Sequence, residues 1–225
     1  MNISIIIPVL NEAAGIEIQL KKLRELISDE CEIIVVDGSS HDKTVALAKP
    51  LSDKVIVSDK KGRAIQMNIG AAAASGNTLL FLHSDTILPD NFFDFIYPLK
   101  EKYWGFFRVK LSGQQWQFRI IETMMNIRSK LTSIATGDQC LFVQRQFFTG
   151  IKGFDDLPLM EDIAFCKRIR KYSSPLIVNN VVVTSSRRWE KHGILKTILL
   201  MWRLRLEYFL GVSPERLVKR YYSNV

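Results

Sequence analysis

The sequence has little cysteine, and the cysteines present are isolated. Its 225 residues include three, Cys31, Cys140 and Cys166, and no two of them form a Cys-x-x-Cys pair. An odd number of scattered cysteines argues against a complete disulfide framework and against a Cys-x-x-Cys metal or redox site. We therefore expect a reducing, cytoplasmic setting for this chain.

The sequence also lacks a long uncharged apolar run. The most apolar late stretch, residues 194–210, contains Lys196, Arg203, Arg205 and Glu207, and none of its uncharged runs approaches the ~20 residues that a membrane-spanning helix needs. No basic stretch followed by an apolar region opens the chain, and no internal repeat is visible. We expect neither a membrane span nor a secretion signal, and one domain with an appendage.

Acidic residues are scarce in the last part of the chain. The formal net charge is +8, but residues 1–90 carry 9 basic and 12 acidic side chains, whereas residues 187–225 carry 9 basic and 3 acidic ones. This asymmetry indicates an anionic partner near the C-terminus, such as a phosphate, a nucleic acid or a lipid surface. A basic helix surrounded by water explains the same pattern.

The first half of the chain alternates between short apolar runs and amphipathic segments. The runs at residues 3–9, 31–36, 54–57 and 78–82 predict buried strands, and helices are predicted between them, the first capped by Asn11. This alternation predicts an α/β fold with a mostly parallel central sheet and helices on both faces. Further on, we predict strands at residues 106–111, 140–143 and 176–184, and helices at 89–102, 115–131, 161–171 and 193–210, with a short helix after Pro214.

Polar residues follow the predicted parallel strands at the point where each strand ends. Asn11 and Glu12 follow the first strand, Asp37 the second and Asp85 the fourth. Ligands bind at the carboxyl ends of the strands in such sheets, so we expect a site there. Asp37 suits hydrogen bonding to the N3–H of a uracil ring, although an Asx-turn explains the same residue.

Asp85 is a candidate metal ligand. Mg²⁺ and Mn²⁺ prefer oxygen ligands and often take only one or two from protein, with the rest supplied by phosphates and water. A divalent cation there would bridge a donor diphosphate and neutralise the leaving group. Alone, Asp85 is equally a turn or capping residue before Pro89, and His83 is a second candidate ligand or an ordinary hydrogen-bonded histidine.

Glu161 and Asp162 form a carboxylate pair at the start of a predicted helix. One of them could act as a general base that removes a proton from an acceptor hydroxyl. Capping of the helix dipole explains the same pair. Arg63, Arg187 and Arg188 are candidate phosphate contacts or solvated surface residues, and Trp189 could stack on a ring or belong to the core.

Four segments together resemble family 2 glycosyltransferases, which have the GT-A fold. They read SIIIPVLNE at residues 4–12, VVDGSSHD at 35–42, GRA at 62–64 leading to LHSD at 82–85, and MED at 160–162, in the order and at the spacing typical of that family. The sequence also resembles a small bacterial subgroup labelled as arsenosugar-biosynthesis-type glycosyltransferases. That resemblance is carried by GRAIQMN at 62–68, LHSDT at 82–86, GDQ at 137–139, PLMED at 158–162 and LGVSP at 210–214.

The resemblance implies a transfer with inversion from a nucleotide-sugar donor, for which a UDP-sugar is expected, to the hydroxyl of a small-molecule or lipid-linked acceptor, and no nucleic-acid partner. It implies Asp162 as the base beside Glu161, and Asp85 as the ligand of Mn²⁺ or Mg²⁺. The residues expected around the donor are Pro8, Val9, Asn11, Glu12, Asp37, Ser39, Arg63, Gln66, His83, Ser84 and Asp85. Those expected around the acceptor or its phosphates are Gly137, Asp138, Gln139, Arg188 and Trp189.

Two positions depart from the family pattern. His83 stands where the first aspartate of Asp-x-Asp usually lies, so contact with the ribose or metal is expected to differ. Ser185 stands where the glutamine of Gln-x-x-Arg-Trp would precede Arg188 and Trp189, which argues against processive polymer synthesis.

Two other functions fit parts of the pattern. A nucleotidyltransferase can use a similar sheet, but it usually needs a basic, glycine-rich loop after the first strand, and residues 10–14 are acidic instead. A catalytically weak, membrane-docked binding module would use the C-terminal helix as an interfacial helix. The same helix could instead pack on the core or form a homodimer. We expect a glycosyltransferase domain at 1–190, with a donor half at 1–103 and an acceptor half at 104–190, and a helical extension at 191–225.

Overall fold

The computed structural model describes residues 3–28, 30–96, 99 and 102–223. The strands are β1 (Ile3–Val9), β2 (Cys31–Asp37), β3 (Lys54–Val57), β4 (Thr78–Phe81), β5 (Thr86–Ile87), β6 (Trp104–Leu111), β7 (Phe142–Gln144) and β8 (Leu176–Thr184). The helices are α1 (Ile16–Leu26), α2 (Thr44–Ala48), α3 (Arg63–Ala73), α4 (Phe92–Ile96), α5 (Trp116–Thr132), α6 (Arg145–Gly150), α7 (Glu161–Ile169), α8 (Arg187–His192), α9 (Ile194–Phe209) and α10 (Pro214–Ser223).

The strands form one sheet in the order β3-β2-β1-β4-β7-β6-β8-β5. The β1–β2, β2–β3, β1–β4 and β6–β8 pairs are parallel, and β7 and β5 pair antiparallel to their neighbours. The predicted α/β fold with a mostly parallel sheet is therefore confirmed. Because β1, β2 and β4 are parallel, their carboxyl ends share one edge of the sheet.

Alternate residues of the central strands face two separate hydrophobic cores. Ile6 and Ile34 belong to one cluster, which includes α3, and Ile5 and Ile33 belong to the other, which includes α1. Helices therefore cover both faces. Gly70 of α3 allows the closest approach, since a Cβ atom there would lie 2.4 Å from the Cγ2 of Ile6.

The C-terminal helices pack on this fold along one side. Leu204 of α9 and Leu217 of α10 are buried in the same cluster as Ile6. The division into a domain at 1–190 and an extension at 191–225 stays a prediction. In the part of the chain that the structure describes, no helix combines the length and the apolar character needed to cross a bilayer.

Several predicted boundaries were wrong. The helix predicted at 89–102 is observed only as α4, and residues 97, 98, 100 and 101 lie outside the described part of the chain. The short strand β5, which pairs with β8, and the helices α6 and α8 were not predicted. Asn11 does not cap α1, because that helix begins at Ile16 and its cap position, Gly15, offers no side chain.

Candidate functional site

The carboxyl ends of β1 and β2 are held together by the side chain of Gln66, which projects from α3. Its amide nitrogen donates to the carbonyl oxygens of Val9 and Val36, at 2.8 Å each. The Gly38 amide also donates to Val9 O at 2.9 Å. Gln66 is buried and its amide donates to backbone groups, so it acts as a clamp under the predicted donor site.

Asp37 forms the Asx-type turn that was one of its two interpretations, and its contact with a uracil ring stays a prediction. Its carboxylate accepts hydrogen bonds from the backbone and the hydroxyl of Ser40, at 2.8 and 2.5 Å, which is an Asx-type turn. Ser39 has a positive φ of 64° and its hydroxyl donates to Ser58 O. The turn holds the Asp37 carboxyl at the strand end, where it is buried.

Asn11 lies in the loop after β1, beside Pro8 and Val9 at the strand end. Its backbone adopts a positive φ of 56°, and its side-chain oxygen accepts from the His41 amide at 2.9 Å. The Asn11 amide in turn donates to the Ser40 hydroxyl at 2.8 Å. These bonds join the loops after β1 and β2, which explains why the side chain does not serve as a helix cap.

Acidic side chains from distant segments meet beyond this edge of the sheet. Burial raises the pKa of Asp85, and the charge of nearby Asp138 raises it further, while Arg187 and Arg63 lower it. Burial also raises the pKa of Glu12, and the charge of Asp85 adds to this increase. Ser84 hydrogen-bonds to Glu12, and Arg187 lies 3.7 Å from the Glu12 carboxylate.

This cluster fits a hard divalent cation. Asp85 and Asp138 are neighbouring carboxylates, and oxygen ligands of this kind suit Mg²⁺ or Mn²⁺. Among the described residues, no three histidine, cysteine, aspartate or glutamate side chains converge to hold an ion by themselves. The cation would therefore take its remaining ligands from a diphosphate and water.

The ring of His83 packs against the backbone of Gly137. Its Nε2 is buried without a hydrogen-bond partner and lies against Gly137, where a Cβ atom would come within 2.3 Å of it. Burial, aided by the Arg63 charge, lowers the pKa of His83 to about 3, so the ring is neutral. The predicted role of His83 in donor binding stays a prediction.

Gly137 links His83 to the candidate base. Its backbone N–H donates to Asp162 Oδ2 at 3.0 Å, and the Ile163 N–H donates to Oδ1 at 2.7 Å. Burial and the Glu161 charge nevertheless raise the pKa of Asp162 to about 7. Glu161 itself is buried and lies 3.6 Å from Arg63. A carboxyl with a pKa near neutrality suits a general base.

Gln139 has a structural task. It is fully buried, its side-chain oxygen accepts from Ser129 and from the Thr136 amide, and its nitrogen donates to Phe107 O. It therefore fixes the short 3-10 turn at Gly137–Gln139, which carries Asp138 and Gly137 into the site.

Arg128 of α5 was missed by the sequence analysis. Burial lowers its pKa, whereas the charges of Asp138 and Asp162 raise it. Its Nη2 donates to Ser129, and its buried Nε has no partner. No motif marks this arginine, since one basic residue on a helix with mixed faces carries no spacing signal.

A cavity of about 650 Å³ opens beside these residues. Arg63, Arg128, Asp138, Glu161 and Asp162 lie on its wall. Its apolar lining comes from α5 and from the C-terminal helices as well as from residues 159–163. Trp189 lines it too, whereas Arg188 stacks on Tyr221, with 4.0 Å from its guanidinium carbon to the ring centre. The site residues remain predictions, but the structure brings most of them around one edge.

Comparisons with solved structures identify the fold. A mannosyltransferase from Pyrobaculum calidifontis in complex with GDP-Man and Mn²⁺ superposes with a TM-score of 0.67 at 20% identity, over 91% of this chain and 60% of that one. A glucosyl-3-phosphoglycerate synthase from Mycobacterium tuberculosis, in complex with Mn²⁺, UDP and phosphoglyceric acid, gives 0.58 at 21% identity, over 82% and 69%. At such identities the likeness shows the fold alone, and it confirms the GT-A prediction.

Sequence comparison shows the family. A PGL/p-HBAD biosynthesis glycosyltransferase of Mycobacterium bovis is 34% identical over 91 residues, 38% of this chain and 36% of that protein. The match thus spans little more than a third of the relative's length. The family described as Glycosyl transferase family 2 matches residues 4–144, well over half of this chain. The protein therefore belongs to glycosyl transferase family 2.

Proposed function

We propose that the protein transfers a sugar from a nucleotide-diphosphate donor, such as a UDP-sugar, to an acceptor hydroxyl with inversion at the anomeric carbon. The observation that carries the proposal is the placement of Asp162 on the cavity wall, near Asp138 and the carboxyl end of β4 that bears Asp85. A donor bound over the strand ends would present its sugar toward this cavity.

The donor would lie along β1, β2 and β4. Asp37 would face the base, and Asp85, with Asp138 beside it, would hold Mn²⁺ or Mg²⁺ against the diphosphate. When bound, the cation neutralises the charge that develops on the leaving diphosphate. Arg63 and Arg187 lie close enough to Asp85 to lower its pKa, so both can supply positive charge to the same phosphates.

Asp162 would act as the base. It takes the proton of the acceptor hydroxyl as that oxygen forms a bond to the anomeric carbon and the bond to the diphosphate oxygen breaks on the opposite face. The two backbone N–H donors orient its carboxylate toward the cavity. The enzyme would add a single sugar and not polymerise, in line with the absence of the full processive motif.

The relatives support the donor class. The compared structures were solved with GDP-Man or UDP and with Mn²⁺, in proteins of the same fold. The arsenosugar-type subgroup, the sugar and the cytoplasmic location stay predictions.

Calorimetry with UDP and Mn²⁺ tests the metal assignment. We expect wild-type protein to bind UDP in the presence of Mn²⁺ and Asp85→Ala to bind it at least about tenfold more weakly. Asp90→Ala, which removes an exposed carboxylate from the loop after β5, is the matched control. Equal binding by wild type and Asp85→Ala would contradict the metal role, and release of pyrophosphate from a nucleoside triphosphate with a sugar phosphate would support a nucleotidyltransferase instead.

A further inference from the structure

The cavity beside Asp162 is built for an apolar body. Its α5 wall carries Trp116, Ile120 and Met124, and its α9 wall carries Leu195 and Trp202. Polar side chains also line it, including Asp162 and Asp138, Gln117 of α5 and Arg205 of α9, but most of the lining is apolar. A polyhydroxylated acceptor would leave its hydroxyls unpaired against these apolar walls, whereas a hydrocarbon or aromatic body would gain from burial there.

The apolar lining continues outward along both helices. On α5 the exposed large apolar residues are Trp116, Ile120, Met124, Ile127 and Leu131, and on α9 and its end they are Leu195, Leu199, Trp202, Leu206, Phe209 and Leu210. Apart from the adjacent Phe209 and Leu210, their spacing of three or four residues places each set on one helix face. Leu131 is 79% exposed and Leu195 is 75% exposed. A contiguous apolar surface of this kind marks a binding surface; we name it the α5–α9 face.

The charges beside the α5–α9 face distinguish between a lipid surface and a second copy of the chain as its partner. At 100° per residue, Lys196 and Arg203 flank one side of the α9 stripe and Arg205 flanks the other. Residues 187–225 carry 9 basic and 3 acidic side chains. Tryptophan and leucine between basic residues are typical of helices that lie in a lipid interface. A second copy of the chain would bring the same positive charges together, so a symmetric dimer through this face is disfavoured.

We propose that the α5–α9 face docks on an anionic lipid surface and that the acceptor is an amphiphile of that surface. Its apolar body would enter the cavity between α5 and α9, and its hydroxyl would reach Asp162. The proposed acceptor class rests on the proposed function, whereas the proposed docking on lipid does not depend on it.

Vesicle co-sedimentation tests the proposed docking on an anionic lipid surface. We expect the full chain to bind vesicles of phosphatidylcholine and phosphatidylglycerol, and to bind pure phosphatidylcholine more weakly because the basic residues lose their partners. The double variant Leu199→Glu/Leu206→Glu changes two exposed residues that do not line the cavity, and we expect it to lower vesicle affinity about tenfold or more. Ile18→Glu, an equally exposed position on α1, is the matched control and should leave vesicle binding unchanged.

Vesicles with brominated acyl chains provide a second measurement, tryptophan quenching, which nonspecific binding through charge would not change. Such vesicles should quench the fluorescence of Trp116 and Trp202, and the variant Trp116→Phe/Trp202→Phe should lose most of the quenching. Trp104 should stay unquenched, because it is fully buried and donates to Ser173 O at 2.8 Å. No binding to anionic vesicles, equal binding by the double glutamate variant, or a concentration-dependent dimer that this variant abolishes would each overturn the docking.

Two compounds that carry hydroxyl groups test the proposed acceptor class. Titrated into the protein loaded with UDP and Mn²⁺, octyl alcohol should bind and glycerol should not, and Met124→Glu in the cavity wall should weaken octyl alcohol binding about tenfold. Glycerol binding as tightly as octyl alcohol would overturn the apolar acceptor. Loss of UDP binding in Asp85→Ala reports separately on the proposed function, since the double glutamate variant should bind UDP as wild type does.

Discussion

Asp162 is half-buried beside Glu161, and this placement raises its pKa to about 7. The two N–H groups that donate to it favour its ionised form but do not offset burial and the neighbouring charge. The carboxyl is therefore divided between its two protonation states near neutral pH. A base in this condition can both accept a proton and release it within one catalytic cycle.

We predict that sugar transfer rises with pH through a limb near pH 7, because only the ionised Asp162 accepts the acceptor proton. Asp162→Asn should lower kcat by roughly 10²- to 10⁴-fold and remove this limb, while UDP binding stays within about twofold of wild type. The measurement is kcat/KM against pH for both proteins. Full transfer by Asp162→Asn would contradict the base assignment.

The same shift predicts a pH dependence of folding that does not rely on activity. The folded-state pKa of about 7 lies above the ordinary value of 3.8, so folding favours the protonated carboxyl. Its stabilising contribution is full below the lower value and is lost as the pH rises toward the upper one. Relative to wild type, Asp162→Asn should therefore gain stability between those pH values in thermal unfolding.

Gly137 links two parts of the site that are distant in sequence. We predict that Gly137→Ala lowers kcat at least about tenfold, because the added Cβ atom would overlap His83 Nε2 and shift the N–H that orients Asp162. The change should leave UDP affinity largely intact. Gly150→Ala is the matched control, since a Cβ atom there meets nothing within 4 Å. Unchanged kinetics in Gly137→Ala would show that the turn can relax without moving Asp162.

At the scale of elements, α3 positions the strand ends through a single side chain. Gln66 donates to the carbonyls of Val9 and Val36, near the ends of β1 and β2, so the candidate donor edge depends on helix α3 as well as on strand pairing. The loops after β1 and β2 are then joined by bonds between Asn11, Ser40 and His41. The candidate donor site is therefore organised before any ligand binds.

We predict that Gln66→Leu lowers the free energy of unfolding by about 1–3 kcal/mol, because it removes two buried hydrogen bonds, from the Gln66 amide to the Val9 and Val36 carbonyls. It should also weaken UDP binding, since the loops that the clamp supports carry Asp37 and Glu12. Chemical denaturation and calorimetry measure the two effects. The control is Gln146→Leu, at an exposed position, and equal loss of stability in both variants would argue against the clamp.

Helices α5 and α9 each have one face packed in the core and one face exposed. One face of α9 buries Thr197 and Leu204 against the fold, and the opposite face stays exposed. Helix α5 likewise buries Phe118 and Ile121 and exposes a stripe. The sequence of α5 shows mixed faces because apolar residues occupy both sides, so periodicity alone cannot tell which side is the core.

At the scale of the whole molecule, charge is unevenly distributed. Acidic residues gather at the strand ends, where a cation and a diphosphate would bind, and basic residues dominate the C-terminal helices. This separation lets one surface attract a metal–nucleotide complex while another faces an anionic partner.

We predict that UDP-linked sugars protect the protein against thermal unfolding only when Mn²⁺ or Mg²⁺ is present. A ligand at 100 times its Kd adds roughly 2.7 kcal/mol of stability, which is a measurable shift of the unfolding temperature. Chelation with EDTA should abolish the shift, whereas a sugar phosphate without nucleotide should give none. Protection that survives chelation would contradict the metal-assisted donor site.

The grouping of polar residues at one edge of the sheet was largely predictable from sequence. β-branched apolar runs form buried strands, parallel strands end together, and polar residues after those ends must meet, so Glu12, Asp37 and Asp85 could be assigned to one edge. The family motifs added Asp162. These inferences work because the residues follow regular elements closely, within four positions of the strand ends.

The sequence by itself determined the α/β class, the family and the carboxylates at the strand ends, because local periodicity and short motifs encode them. Only the tertiary structure decided that Arg187 pairs with Glu12, that Gly137 touches His83, and that α5 and α9 enclose an apolar cavity beside Asp162. These contacts join segments tens of residues or more apart. Their formation depends on how helices pack on the finished sheet, and no spacing along the chain records that packing.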